Sequence, residues 1–157
     1  MRAPLEIAVA VNDDGWPEGL DSVAETAIRT ALDMSGAKMA GVAEVSVLLT
    51  DDAEQQALNR DWRGYDKSTN VLSFPQLEPF TPLAGLLGDI TLARETVARE
   101  AEEMDIAFEA HFTHLVVHGF LHLLGHDHME DGEAETMEAL ETQILARLGI
   151  ADPYADS

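Results

Sequence analysis

The stretch HFTHLVVHGFLHLLGHDH, residues 111–128, contains all six histidines of this chain. Between them stand Phe112, Leu115, Val116, Val117, Phe120, Leu121, Leu123 and Leu124. A segment apolar nearly all round is predicted to be a helix, over 108–124, buried at the centre of the fold.

Working outward, helices are expected at about 93–104 and 131–148, and an earlier one over Ser22–Ser35, where apolar residues keep helical spacing. Thr50 and Asp51 suit the cap of a further helix reaching about Asp61, because early acids favour a helix N-terminus. Ile7–Val11, Glu44–Leu49, Val71–Phe74 (ended by Pro75) and Leu86–Leu92 read as strands. Residues 76–85, QLEPFTPLAG, form a proline-rich loop. These elements predict an α+β fold, a small mixed β-sheet packed with about five helices, with residues 1–157 as a single domain and a metal site on the central helix and the turn after it.

His111, His114, His118 and His122 are spaced three, four and four apart, which on a helix of 3.6 residues per turn places them within one arc of less than a quarter turn. The i, i+4 pair His118 and His122 can present two imidazoles to one cation. In a continuous helix His126 would lie roughly 12 Å along the axis from His118, too far to join them. Gly125, however, suits the left-handed conformation that ends helices, and His128 beyond the turn becomes the third ligand. Three neutral ligands and a fourth position open to water match a catalytic zinc, since a structural zinc is usually closed by four ligands including cysteine, and this chain has none. Nickel or copper would accept the same ligands. Asp127 is the candidate carboxylate that orients a ligand imidazole. His126 reads as a solvated turn residue and His111 as a hydrogen-bonded core residue. His114, one turn before His118 on the same face, is the candidate proton shuttle, with Asp89 a more remote one. Gly119 stands where HExxH peptidases carry the glutamate that activates water, which counts against that chemistry. Trp62, Phe74 and the methionines read as core or rim residues.

The formal charge is −21, from 9 Lys and Arg against 30 Asp and Glu. Runs of acids such as those over 95–109 and 130–141 read as solvated helix faces. Arg60, Arg63 and Lys67 form a local basic segment within this acidic chain. The N-terminal MRAPLEIAVAVNDDG is too short in its apolar run and too acidic for a signal peptide, and no run approaches the roughly 20 apolar residues of a membrane span. A cytoplasmic location without membrane contact is expected.

HGFLHLLGHDH resembles the HGxLHLxGxDH motif of the YbeY family of bacterial endoribonucleases, also called rRNA maturation factors. Leu58–Gly64 and Asp66–Pro75 are similar to that family's second block, Leu87–Ile90 to its third, and Glu133–Glu138 to the acidic helix after the metal motif. His126 replaces the usual tyrosine and Ser68 the usual proline. The resemblance implies a zinc-dependent, single-strand-specific endoribonuclease that matures the 3′ end of small-subunit (16S) rRNA and serves ribosome quality control. Its expected partners are ribosomal RNA, the small subunit and proteins on the ribosome. Arg63 matches the arginine that the family uses near its metal, where a planar guanidinium suits phosphate. Arg60 and Lys67 are candidate substrate contacts. Two alternatives stand beside this reading: another metallohydrolase such as a peptidase, and a ribosome-associated assembly factor whose metal mainly holds the fold.

Overall fold

The computed structural model describes residues 4–126 and 131–154. In chain order its elements are β1 (Leu5–Val11), α1 (Leu20–Ser35), β2 (Met39–Thr50), α2 (Asp52–Arg63), β3 (Val71–Pro75), β4 (Leu83–Ala93), α3 (Arg94–Glu103), α4 (Phe108–Leu124) and α5 (Asp131–Arg147). The four strands form one sheet in the order β1-β2-β4-β3, with β1, β2 and β4 parallel and β3 antiparallel to β4. This is the mixed sheet with five helices that the sequence pattern implies.

Alternation decides which sheet face is covered. Val45, Val47 and Leu49 of β2 and Ile90 and Leu92 of β4 are buried in one cluster with Ala24, Ile28 and Leu32 of α1 and with Phe112, Val116 and Phe120 of α4. Neighbouring Glu44 is exposed, and Ser46 and Leu48 are half-buried. Helix α4 is buried on nearly every side, as its composition predicts, and it packs against α1, α3, α5, β3 and β4.

Three strands start earlier than the pattern suggests, β1 at Leu5, β2 at Met39 and β4 at Leu83. Met39 pairs with Leu83 and Ala43 with Gly85. Ala40-Gly41 and Ala84-Gly85 have weak strand preference of their own, and the flanking pairs, with a register shift between them, carry the strands through these residues. The helix over 52–63 is capped as expected, the Asp51 side chain accepting from the Glu54 N–H at 2.9 Å. Among the described residues no helix is long and apolar enough to cross a membrane.

Candidate metal centre

Helix α4 turns its one polar stripe toward a cleft of about 930 Å³. The floor is the histidine face of α4 and the outer edge of β3. Asn59, Arg63, Tyr65 and Lys67 line one side, and Leu77, Pro79 and His126 line another. Two close approaches fix α4 here. A Cβ at Gly119 would lie 2.9 Å from Ile90 Cγ2 and 3.1 Å from Ser73 Oγ, which itself donates to the Gly119 carbonyl at 2.9 Å. Position 119 therefore faces the packed sheet, and a glutamate could not stand there as it does in HExxH peptidases. Gly125 ends the helix at φ 116°, as its sequence position implies. Its N–H donates to the His122 carbonyl and that of His126 to the Leu121 carbonyl, both at 3.1 Å, the paired bonds of a Schellman turn.

The four helical histidines are held differently. His111 is buried and its Nε2 lies 2.8 Å from Glu100 Oε1, the hydrogen-bonded core residue expected. His114 Nε2 lies 2.8 Å from Glu141 Oε1 and 3.2 Å from the Tyr154 hydroxyl. His118 meets the same Glu141 oxygen through its other nitrogen, Nδ1, at 3.1 Å. The contact is made through Nδ1, so Nε2 of His118 is turned away from Glu141. That Nε2 faces His122 Nε2 at 3.1 Å. Two nitrogens each about 2.0–2.1 Å from one tetrahedral ion stand roughly 3.4 Å apart, so the pair fits a shared metal with little adjustment.

Glu141 is the residue that the sequence reading missed. It is fully buried on α5 and also accepts from the Tyr154 hydroxyl, at 3.1 Å to each oxygen. Burial pushes its carboxyl upward, but hydrogen bonds and charge from His114 and His118 outweigh this and hold it down at about 2. Burial and the Glu141 charge together push the Tyr154 hydroxyl upward. One signal could have found Glu141: it falls between Met137 and Ile144, at helical spacing on a buried stripe, where an acid needs partners.

His114, His118 and Glu141 bring one ligand atom each within 4.8 Å of one another and form a group able to hold a metal ion. Within it the carboxylate is already occupied by both imidazoles and the tyrosine. The donor chemistry therefore favours Glu141 as the anchor and the Nε2 pair of His118 and His122 as ligands.

Of the other expected residues, Arg63 and Lys67 line the cleft, and Arg63 donates to the Ser73 carbonyl at 3.3 Å. Arg60 is exposed, is not among the cleft-lining residues, and pairs with Asp61 at 3.0 Å. Asp89 lies on β4 opposite Phe74 and does not line the cleft. His126 is not a solvated turn residue: it is half-buried with its ring edge-on to Phe80, centroids 5.1 Å apart, and burial pulls its pKa down against the Glu141 charge. Trp62 is exposed rather than part of the core. Asp127 and His128 lie outside the described residues.

The family described as Endoribonuclease YbeY matches residues 10–149. A protein of Sinorhizobium medicae named Endoribonuclease YbeY is 51% identical over 162 residues, covering 97% of this chain and 96% of the relative. One of the same name from a Bradyrhizobium species is 52% identical over 155 residues, covering 94% and 91%. The solution structure of TM1509 from Thermotoga maritima is similar in fold, with a TM-score of 0.58 and 26% identity over 96% of this chain and 99% of that one.

Proposed function

This chain belongs to the endoribonuclease YbeY family, and on that premise we propose that it is a zinc-dependent, single-strand-specific endoribonuclease of the cytoplasm. Its proposed substrate is the 3′ end of small-subunit (16S) ribosomal RNA, in maturation and in ribosome quality control, at the small subunit and alongside ribosomal proteins. The observation that carries the reading is the convergence of His118 Nε2 and His122 Nε2 in a cleft that Arg63 also lines. His118, His122 and His128 are the proposed zinc ligands. Bound zinc supplies Lewis acidity, lowering the pKa of a water or drawing charge from a phosphoryl oxygen.

The chain's own groups do the rest. Arg63 uses one of its donors on the Ser73 carbonyl, which steers the guanidinium along the β3 edge and leaves its other donors for phosphate. Charge growing on the phosphoryl oxygens is stabilised there by a cation that cannot lose its proton. Lys67 adds a second, more flexible cation on the same wall. His114 and Tyr154 fix Glu141, and Glu141 holds the His118 ring with Nε2 toward the cleft.

The test is cleavage of single-stranded ribosomal RNA by wild-type, His118→Ala and Arg63→Ala protein, with metal content and folding measured on the same samples. Arg63→Ala is expected to keep its metal and fold and to lose cleavage by about a hundredfold or more. Equal cleavage by all three would place the activity elsewhere and leave the assembly-factor alternative.

A further inference from the structure

Two large aromatic side chains at the end of α2 stand in water, Trp62 at 74% and Tyr65 at 59% exposure, and of the two Tyr65 lines the cleft. Exposed aromatic surface forgoes the stabilisation that burial would bring. The segment that carries Tyr65 is nevertheless held firmly. Gly64 ends α2 in the left-handed conformation, φ 79°. The Tyr65 N–H donates to the Asn59 carbonyl at 3.2 Å, the Lys67 N–H to the Tyr65 carbonyl at 2.9 Å, and the buried Asn59 side chain to the Lys67 carbonyl at 3.0 Å. The backbone is thus tied down while the ring points outward, and ordering it on binding costs little. Tyr65 lines the cleft between two cations that line it too, Arg63 and Lys67.

We propose that Tyr65, aided by the exposed Trp62 three residues earlier on the last turn of α2, is a stacking subsite for unpaired nucleobases of an RNA strand whose phosphates pass Arg63 and Lys67; this rests on the endoribonuclease reading above. Charge makes such a subsite necessary. Phosphate attraction supplies most non-specific affinity for nucleic acid, and a chain of formal charge −21 has little to offer. Base stacking on aromatic rings needs no positive field and is indifferent to sequence. Bases held in a duplex do not present free faces, so the same subsite selects single strands.

Trp16 is buried, at 6% exposure, so quenching of tryptophan fluorescence by added strands reports on Trp62. The experiment titrates full-length wild-type protein, Trp62→Ala, Tyr65→Ala and Tyr65→Phe at low salt with a labelled oligouridylate and a labelled abasic strand of equal length, reading binding of every variant by fluorescence anisotropy of the strand, and measures cleavage kinetics on single-stranded RNA. Removing the bases, or the Tyr65 ring, is expected to weaken binding by roughly five- to a hundredfold. Tyr65→Ala should raise KM with kcat kept, and Tyr65→Phe should restore both. Equal affinity of the wild type for both strands, or alanine variants that bind and cleave like wild type, would overturn the subsite. So would alanine variants that lose only small-subunit binding, because the rings would then meet protein. The two readings separate cleanly: base-dependent binding without cleavage keeps the subsite and removes the nuclease, whereas cleavage without base dependence does the reverse.

Discussion

His111 and His114 share one face of α4 with His118 and His122, yet the two halves of that face do different work. In the first half each Nε2 is taken by an acid, Glu100 for His111 and Glu141 for His114, both at 2.8 Å. In the second half Glu141 takes Nδ1 of His118 instead, and Nε2 faces His122. Four like residues at helical spacing are thus sorted into rings held by an acid through Nε2 and a facing Nε2 pair, the proposed ligands, by which ring nitrogen meets a carboxylate. Spacing lines the side chains up; the helices packed opposite, α3 with Glu100 and α5 with Glu141, assign their roles.

Glu141→Ala attacks the anchor that both halves share and should have the largest effect. It removes the buried carboxylate that His114, His118 and Tyr154 share, at a cost of about 3–5 kcal/mol. Urea denaturation of the metal-free protein would measure this, and chelator competition should show metal affinity down by about 10–100-fold. Acid probes the same anchor without mutation. With a carboxyl held at about 2 against an ordinary 4.5, the folded state binds the proton more weakly than the unfolded chain. The resulting stabilisation, roughly 3 kcal/mol, is complete above pH 4.5 and lost as pH falls through about 2. An acid titration of the metal-free protein should show that slope, and Glu141→Gln should remove it.

A pair of substitutions sharpens the contrast between the halves. His111→Ala removes a buried, hydrogen-bonded ring and should cost about 1–3 kcal/mol with metal affinity kept. His122→Ala, at a half-buried position, should cost less than about 1 kcal/mol in the metal-free protein and lower metal affinity by about a hundredfold or more, read by thermal unfolding and chelator competition. Tyr154→Phe is the mildest, removing one hydroxyl donor from Glu141 at about 1 kcal/mol by urea denaturation.

How much of this was legible in the sequence follows from the range of each interaction. Helix α4 was readable to the residue because its apolar run, Gly125 and the histidine spacing are local patterns. The cleft-lining Arg63 and Lys67 came from a motif, and Gly119 already spoke against HExxH chemistry; only the packing of α4 on Ile90 and Ser73 supplies the reason. Glu141 lies 23 residues from His118, and Tyr154 lies 40 from His114. No periodicity links them, since their contact depends on how α5 and the segment after it settle against α4. His126 was misread for the same reason, its ring being covered by Phe80 from the proline-rich loop. The early starts of β2 and β4 escaped because alanine and glycine there have little strand preference of their own, and the strands are extended by the cross-strand pairs Met39–Leu83 and Ala43–Gly85.

The most direct test of the split histidine face is a long-range 1H–15N correlation spectrum of the imidazole rings in metal-free and zinc-loaded protein. Zinc is expected to move Nε2 of His118 and His122 to metal-bound shifts, with His118 Nδ1 protonated against Glu141 and with the shifts of His111 and His114 kept. Coordination through His114, or through Nδ1 of His118, would put the metal on the Glu141 side of the helix and contradict the split.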